Sequence, residues 1–492
     1  MKAPWGRWSC AAIAAVWAVA AFHYATRDLP AGMHLDSAAQ SIAARDVNFL
    51  DDITGADAYG HGFNSHTLFD AMLRTIGNAR SLIVLDCHLC NDLHRNAPDA
   101  VVNLTPLAAQ LIDALLARKA AVPQLQVLVI ADPVNGLYGS APAPELAALQ
   151  AVGIPVITVD LSALRDRNVL YSSPWRLLVK WWSHPGSGGG WLPNPYSEDG
   201  PPLTAHAWAQ LANLKSSNRR VLLADDGHGG LVAQVGTTEP AMASSIDTVT
   251  GLQVSGPSVL PLLRSELQLA RSFGWNGAMV IPTPAPDPAD PLRRTEPLEI
   301  QWLGEGAIRN ALLEHIAATS VGDNIDIASS SLSDRPIISA LLAASRRGVT
   351  VRLILDPHKY ASLGGRTNQL VGSELIAASD SQIHVAWYRT HNEQFRAALV
   401  LIHGSGAVWM LTGSASLTRR DLGDYDLVLD AALSGSAMAV PLMSAQAFFD
   451  TLWNERGPPG IEYTADADTW ADPSQLRYWA YRLMESLGIS RT

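Results

Sequence analysis

One segment of the chain combines glycine, hydroxyl and arginine residues in an order suited to holding an anion. It runs through Gly413-Ser414-Ala415-Ser416 and continues to Arg419 and Arg420. Glycine lets a ligand approach the backbone closely, hydroxyls donate hydrogen bonds, and arginine adds a charged planar donor. On these residue types alone, a β-hairpin with a solvated basic turn is the simpler interpretation, and an anion site is the alternative.

Two apolar runs must position this segment. FRAALVLI and AVWMLTG are extended and apolar, and the turn HGSG separates them, so the pattern predicts a hairpin that ends at Gly413. An earlier stretch, residues 213–240, follows the same plan and ends near Gly236-Thr237. The chain therefore offers two comparable hairpin ends.

The order of elements before each hairpin also repeats. Amphipathic helical segments alternate with short apolar strands in both halves, and Ala131-Asp132-Pro133 lines up with Leu355-Asp356-Pro357. Alternation of this kind predicts an α/β fold with a largely parallel central sheet in each half. We expect two pseudo-symmetric halves whose hairpin ends form one central site.

GSASLTRRDL resembles the GSANLTRRNL segment of the phospholipase D superfamily. From about Val47 onward, the chain resembles bacterial membrane-anchored phospholipase D-like proteins. The resemblance implies two α/β/α sandwich halves and an N-terminal transmembrane helix. It also implies phosphodiester chemistry by two HxK motifs, in which one histidine attacks phosphorus, the other protonates the leaving oxygen, and the lysines stabilise charge.

Both motifs depart from the family at the residues that do this chemistry. The motif-equivalent positions are Asn218, Arg220 and Asp225 in the first half, and Arg396, Ala398 and His403 in the second. Neither copy keeps its histidine or lysine, which should cost many powers of ten in rate. The catalytic residues are therefore unknown. Along a strand, the first and third positions of each motif would share one face.

An anion-binding set survives these changes. The phosphate-binding residues that the resemblance implies are Arg220, Gly236, Thr237, Arg396, Gly413, Ser414 and Arg419. Arginine holds phosphate bidentately and does not titrate, which suits a binder. The alternative is that the arginines pair with structural carboxylates such as Asp225 or Asp424. We expect His228, His391 and His403 to be solvated turn residues.

Composition narrows the function classes. The net charge of −11 argues against a general nucleic-acid binder, so no nucleic-acid partner is expected and a nuclease is disfavoured. Cys87 and Cys90 form CHLC within a strand-like run. Strand alternation would place them on opposite faces, so we expect buried small side chains, with neither a metal site nor a cofactor.

The N-terminus predicts a membrane segment. Trp8 to Phe22 is almost wholly apolar, and Lys2 and Arg7 precede it. It is either a cleavable signal or an uncleaved anchor, and we expect an anchor in a bacterial inner membrane, with the bulk of the chain periplasmic. The predicted domains are a signal anchor over 1–30, a first half over 31–281, a Pro-rich linker over 282–297, and a second half with a C-terminal helix over 298–492.

Two further stretches are rich in aromatic residues. Tyr171 to Tyr196 combines Trp and Lys around a GSGGG run. It suits either a membrane interface or a surface loop whose Trp residues pack on their own domain. In the C-terminal segment SQLRYWAYRLMESLG, one helical face carries four apolar residues, and we expect that face to dock on the domain. These residues are Leu476, Trp479, Leu483 and Leu487.

Together these features predict a pseudoenzyme at the membrane. It would bind phosphate-bearing lipid headgroups or an envelope protein partner. The alternative is an active phospholipase D-type phosphodiesterase or transphosphatidylase that acts on phospholipids.

Overall fold

The structure, a computed structural model, describes residues 5–57, 59–93, 102–180, 189–196, 200–282, 297–357, 366–455 and 460–490. Its helices are α1 (Trp5–Thr26), α2 (Thr67–Asn78), α3 (Leu107–Ala121), α4 (Pro144–Ala151), α5 (Val169–Pro174), α6 (Ala205–Leu211), α7 (Leu260–Ser272), α8 (Gly306–Ala318), α9 (Arg335–Arg346), α10 (Thr367–Ala378), α11 (Arg419–Leu422), α12 (Val440–Trp453) and α13 (Gln475–Ser486).

The strands, in chain order, are β1 (Gln40–Ala43), β2 (Val47–Asp52), β3 (Gly55–Ala56), β4 (Gly62–Phe63), β5 (Leu82–Cys87), β6 (Gln126–Ala131), β7 (Val156–Thr158), β8 (Val221–Asp225), β9 (Leu231–Gly236), β10 (Val249–Ser255), β11 (Pro297–Gly304), β12 (Asn324–Ser329), β13 (Thr350–Leu355), β14 (Ile383–Tyr388), β15 (Ala398–Gly404), β16 (Ala407–Gly413), β17 (Leu429–Ser436) and β18 (Thr464–Asp466).

Two large sheets share one plan. The first has the order β2-β10-β9-β8-β5-β6-β7, and the second has the order β1-β11-β17-β16-β15-β12-β13-β14-β18. Without its edge strands β1 and β18, the second sheet repeats the first strand for strand. The strands β5, β6 and β7 are parallel, as are β12, β13 and β14, and an antiparallel hairpin flanks each set. The predicted duplicated α/β fold is confirmed.

The strands at the centre of each sheet are buried on both faces, which explains their nearly continuous apolar sequences. In β5, Leu82 and Val84 face a core that both sheets share with α7 and α12. The alternate residues Ile83 and Leu85 face a second core beneath α2, α3 and α4. Helices α8, α9 and α10 cover the outer face of the second sheet in the same way.

Strand β1 departs from the predicted domain boundary. The first half was expected over 31–281, but β1 pairs antiparallel with β11, at the edge of the second sheet. The residues just before β1 also contact β11, since the Ser37 backbone N–H donates to the Trp302 carbonyl. Edge pairing satisfies the backbone groups of β11, so this N-terminal segment belongs structurally to the second half. Nearly all of the predicted linker lies outside the described residues.

The paired cysteines correct one prediction. Cys87 is the last residue of β5, and Cys90 lies beyond the strand, so strand alternation does not separate them. They form a disulfide with a Cα–Cα distance of 6.2 Å, and both side chains are buried. The expectation of two unlinked buried thiols is therefore wrong.

Helix α1 agrees with the predicted membrane segment. Ser9–Thr26 is long and apolar enough to cross a membrane, judged by length and composition. The C-terminal part of α1 packs on α5. The neighbouring Trp175 is buried, as the surface-loop alternative expected, but Trp191 is 75% exposed, and Trp181 and Trp182 lie outside the described residues, so both alternatives stay open.

The C-terminal helix packs by the opposite face to the one expected. Helix α13 buries Tyr481 and Glu485, and the Tyr481 hydroxyl donates to the Ser333 carbonyl. Leu476, Trp479 and Leu483 point to solvent. The docking of the apolar stripe was therefore predicted wrongly, because a buried tyrosine with a backbone partner anchors the helix instead.

Candidate functional site

The segments that precede β8 and β15 meet at the contact between the two halves. Ser217 forms a parallel bridge with Leu427, and Phe395 forms one with Thr248. Each bridge joins the start of one hairpin to the residues just before β10 or β17 in the other half. The two contacts are equivalent under the internal duplication, so the two hairpin ends face each other.

Two buried carboxylates fix the hairpin starts. Asp132 accepts a hydrogen bond from the Ser217 backbone N–H at 2.6 Å, and Asp356 accepts one from the Phe395 N–H at 2.9 Å. Both acids follow the second strand of their parallel set, where the sequence already showed a repeated Asp-Pro. The repeat was visible in the sequence, but its role in holding the hairpins was not.

A second pair of carboxylates acts across the halves. Asp426 accepts from the Ser216 N–H, and Asp247 accepts from the Gln394 N–H, both at 2.9 Å. Asp247 lies just before β10 and Asp426 lies just before β17, and each acid binds the hairpin start of the other half. These four equivalent contacts show that the backbone of the centre is duplicated closely.

Glu239 lies between the two arginines expected to bind phosphate. Its Oε1 is 2.6 Å from Arg220 Nη2, and its Oε2 is 2.6 Å from Arg396 Nη1. Ser244 Oγ donates to Glu239 Oε2 at 3.0 Å, and Arg396 Nε lies 3.0 Å from Asp247 Oδ2. One carboxylate thus pairs with an arginine from each half.

The charges at this centre compensate each other. Burial opposes ionisation of Glu239, but Arg220 and Arg396 outweigh it and lower the pKa of Glu239 to about 2. Burial lowers the pKa of Arg220 against the attraction of Glu239, and the pKa of Arg396 is raised because Glu239 and Asp247 outweigh its burial. Glu239 therefore remains ionised at neutral pH, and with the two arginines and Asp247 it forms a closed cluster of ion pairs. The arginine partners are therefore Glu239 and Asp247, and not the expected Asp225 or Asp424.

The sequence analysis does not single out Glu239, although the sequence contains a signal for it. It occupies the position in the first half that Ser416 occupies in the second, three residues after Gly236 and Gly413 respectively. The register supports this equivalence, because Val221 pairs with Val235 in the first hairpin and Leu399 pairs with Thr412 in the second. An acidic residue at that point, beside two motif arginines, indicates an internal ion pair.

The motif residues do not follow strand alternation. Strand β8 begins only at Val221, and Arg220 has φ 53°, in the left-handed region. Arg220 therefore turns away from the path that a regular strand would take, and the expectation that Asn218 and Arg220 share a strand face is wrong. A left-handed non-glycine residue stores strain, which surrounding contacts such as the Glu239 ion pair must offset. The Asn218 Oδ1 is buried without a hydrogen-bond partner among the described residues.

Close strand packing explains the two motif glycines, Gly236 and Gly413, without any bound phosphate. A Cβ on Gly236 would lie 2.6 Å from the Thr250 carbonyl oxygen, and one on Gly413 would lie 2.3 Å from the Leu429 carbonyl oxygen. Either contact is too short, so both glycines are needed where β10 and β17 approach their hairpins.

The hydroxyls of Thr237 and Ser414 also have a structural role, because each accepts a hydrogen bond from a backbone N–H group. Thr237 Oγ1 accepts from the Thr250 N–H at 3.0 Å, and Ser414 Oγ accepts from the Leu429 N–H at 2.9 Å. Both side chains are buried. Their present contacts join strands, and any anion would compete with these backbone partners.

Three other candidates lie apart from the ion cluster. Asp225 accepts backbone N–H groups of Arg80, Ser81 and Leu82 at the far end of β8. His403 lies within the corresponding end of β15, so the expectation that it is a turn residue is wrong. Arg419 donates to the Glu485 and Ser486 carbonyls at the end of α13. The structure brings together Arg220 and Arg396, and it does not bring these three to them.

His88 is the histidine at this centre. It lines a small cavity with Arg220 and Thr238, and its Nδ1 lies 3.7 Å from Asp132 Oδ2. The cavity holds about 20 Å³, enough for about one water molecule. His391, by contrast, lies 3.6 Å from Glu393 on the loop before β15. This cavity is too small for a phosphate group.

Comparison with known proteins agrees with this architecture. Residues 312–436 match the sequence family described as cardiolipin synthase, PLD-like domain. No curated protein matches the sequence. A phosphatidylserine synthase of Haemophilus influenzae Rd KW20 has a similar structure, with a TM-score of 0.53 and 10% identity over 92% of this chain and 97% of that one.

A smaller protein is also similar. A phospholipase D family member, Nuc from Salmonella typhimurium, aligns with a TM-score of 0.25 and 20% identity, over 34% of this chain and 97% of that one. At this score the likeness supports no further conclusion. The similarity to the phosphatidylserine synthase, at its low identity, concerns the fold alone.

Proposed function

We propose that this chain is a membrane-anchored protein of the phospholipase D superfamily that does not hydrolyse phosphodiesters, and its fold and the family match over residues 312–436 support this proposal. The observation that carries the proposal is the ion cluster. Hydrolysis in this superfamily needs two histidines, and the equivalent positions hold Asn218 and Arg396. Glu239 occupies the space between Arg220 and Arg396, where such an enzyme would hold the anion.

The ligand class that this centre suits best is a phosphate-bearing lipid headgroup. Such a headgroup would take the place of the Glu239 carboxylate, since both are anions that fit two arginines. Binding therefore requires Glu239 to leave its partners, and the affinity of the unmodified protein should be weak. The names of the matched family and of the Haemophilus protein, both lipid synthases, support a phospholipid over other phosphate esters.

The test has two arms on the purified full chain in detergent. In the first, phosphatidylglycerol, phosphatidylcholine and cardiolipin are incubated with the protein, and released headgroup is measured. No turnover above buffer is expected. Steady turnover by the unmodified protein would overturn the proposal.

The second arm measures binding of short-chain phosphatidylglycerol. Glu239→Gln should bind it about tenfold more tightly or better, the factor that corresponds to roughly 1.5–3 kcal/mol for a charge-assisted hydrogen bond. The matched control is Glu374→Gln, which removes the same charge from a pair with Arg335 outside the ion cluster. Equal affinity of the two variants would contradict headgroup binding at the arginines.

A second candidate, phospholipid phosphodiester transfer, rests on His88. This histidine lies beside Asp132 and lines the cavity that Arg220 also lines, so it could take the role of the missing motif histidines. If the hydrolysis arm shows turnover, His88→Gln should abolish it. Turnover that survives His88→Gln would exclude this candidate.

We further propose that α1 anchors the chain in a bacterial inner membrane with the remainder in the periplasm. Lys2 and Arg7 precede the apolar segment and favour retention of the N-terminus in the cytoplasm. The Cys87–Cys90 disulfide supports the same orientation, because disulfides persist in oxidising compartments. Reporter fusions after Asp28 test this orientation. Activity of a reporter that works only in the cytoplasm would contradict it.

A further inference from the structure

Helix α13 presents an apolar stripe that nothing in the described chain covers. Leu476, Trp479 and Leu483 are 83%, 63% and 60% exposed, and they repeat at intervals of three and four residues. On a helix, this spacing forms one continuous face. The opposite face is firmly docked through Tyr481 and Glu485, so the stripe is held facing outward.

The C-terminal end of α13 lies against the segment that leads into α5. Arg167 Nε donates to the Gly488 carbonyl at 3.1 Å, just beyond the end of α13. A Cβ on Gly488 would lie 2.1 Å from the Arg167 carbonyl oxygen, so glycine permits this close contact. Asn168 follows Arg167 and caps α5 by accepting from the Tyr171 N–H.

The same segment receives the membrane helix. The Asp166 N–H donates to the Tyr24 carbonyl at 2.9 Å, and the Arg176 guanidinium lies 4.1 Å from the centre of the Tyr24 ring. Arg27 donates to the Ser162 carbonyl. The end of α1, the start of α5 and the end of α13 therefore pack together as one unit, joined through the buried residues Asp166, Arg167 and Arg176.

The outer side of this packed unit carries further apolar residues beside α1. Leu170 in α5 and Leu177 and Leu178 in the turn that follows it are exposed. Large exposed apolar residues scattered singly need no explanation, but a concentration beside a membrane helix indicates an interaction site.

We propose that α13 lies in the headgroup region of the same bilayer that α1 crosses, with Leu476, Trp479 and Leu483 in contact with lipid. This inference rests on the proposed anchoring by α1. Because α13 is rigidly joined to the segment that binds α1, a bilayer around α1 lies next to the stripe. Tryptophan and leucine on one face of a helix suit the boundary between headgroups and acyl chains, where burial of apolar area gives the binding energy.

The experiment uses the full chain reconstituted into vesicles of equal parts phosphatidylcholine and phosphatidylglycerol. An environment-sensitive fluorophore is attached to Leu483→Cys in a Cys10→Ser background, since Cys10 is the free cysteine of the described chain. Lipids that carry a quencher then report contact with the bilayer. A label on Leu178→Cys tests the adjoining surface in the same way.

The matched control is a label on Val321→Cys. Val321 is also highly exposed, but it precedes β12, whereas the α13 contact Ser333 follows that strand, about 20 Å away by the rise of six residues. The labels at positions 483 and 178 should shift to shorter emission wavelength and be quenched several-fold more than the label at 321. Quenching at 483 equal to that at 321 would overturn the proposal.

A label on the native Cys10 separates this proposal from the anchoring proposal. If Cys10 is quenched by lipid and position 483 is not, anchoring stands and the α13 contact is wrong. If neither is quenched, both are wrong. A shift at 483 that disappears when vesicles hold one protein each would assign the stripe to a second copy of the chain, and would also overturn the lipid contact.

Discussion

The two halves of this molecule share a backbone and differ in the side chains that they bring to their common centre. The first half places Asn218, Arg220 and Glu239 there. At the equivalent positions the second half has Arg396, Ala398 and Ser416. Wherever one half carries an arginine in the motif, the other carries an uncharged residue. The centre is therefore pseudo-symmetric in the main-chain contacts of its hairpin starts, except for the left-handed backbone of Arg220, and it is asymmetric in its charge.

This difference shows which constraints were retained. The backbone contacts made by Asp132 and Asp356, and by Asp247 and Asp426, are the same in both halves. These contacts hold the hairpin starts through backbone N–H groups, so they do not depend on the motif side chains. The motif side chains instead form one shared ion cluster, in which a single carboxylate serves both halves. The two halves therefore share the backbone contacts of the hairpin starts and differ in the side chains of their motifs.

The largest expected effect comes from removing the shared carboxylate. Glu239→Gln leaves Arg220 and Arg396 without their common partner in a buried centre, and breaking such a pair typically costs about 3–5 kcal/mol. We expect a loss of this size in the free energy of unfolding, measured by denaturant titration in detergent without phosphate. Glu374→Gln is the control for charge alone. An equal loss in both variants would show that the cluster does not join the halves.

A smaller effect should come from an acid that only the second half contains. Asp430 pairs with Gly413, and the equivalent partner of Gly236 in the first half is Gly251. Burial raises the pKa of Asp430 to about 7, against the opposing effect of the Ala415 N–H. The folded protein therefore binds this proton more tightly than the unfolded chain does.

The sign of the pH dependence follows from this shift. Between the unfolded pKa near 4 and the folded pKa of about 7, stability should fall as pH rises, and it should then level off. Asp430→Asn keeps an oxygen that accepts from the Ala415 N–H. In this variant the free energy of unfolding should decrease by roughly 2–4 kcal/mol less over this pH range than in the unmodified protein. Unfolding measured from pH 4 to 8 is the test. Parallel curves for both proteins would contradict the assignment.

The smallest effects should be equal in the two halves. Thr237→Val and Ser414→Ala each remove a hydroxyl that accepts a backbone N–H from the neighbouring strand. Each should lower the free energy of unfolding by about 1–3 kcal/mol, because a buried donor loses its partner. If only one of the two substitutions lowered the free energy of unfolding, the Thr237 and Ser414 sites would be less alike than their contacts indicate.

The sequence predicted the fold through signals that are local. Apolar runs, helical periodicity and the repeated Asp-Pro predicted the alternation of helices and strands in both halves, and the structure shows this order. The motif spacing also located the hairpin starts. Predictions that assumed regular geometry beyond these signals were wrong, as for Cys87 and Cys90, and for Arg220 with its left-handed backbone.

By itself, the sequence determined that both motifs lack their histidine and lysine, because residue identity needs no structure. Only the tertiary structure decided which charges meet. Arg220 and Arg396 are 176 positions apart in the chain, and Glu239 joins them because the two hairpin starts lie across the contact between the halves. The outward stripe of α13 was decided in the same way. Which face of an amphipathic helix is buried depends on its neighbours, and here Tyr481 and Glu485 found partners within the domain.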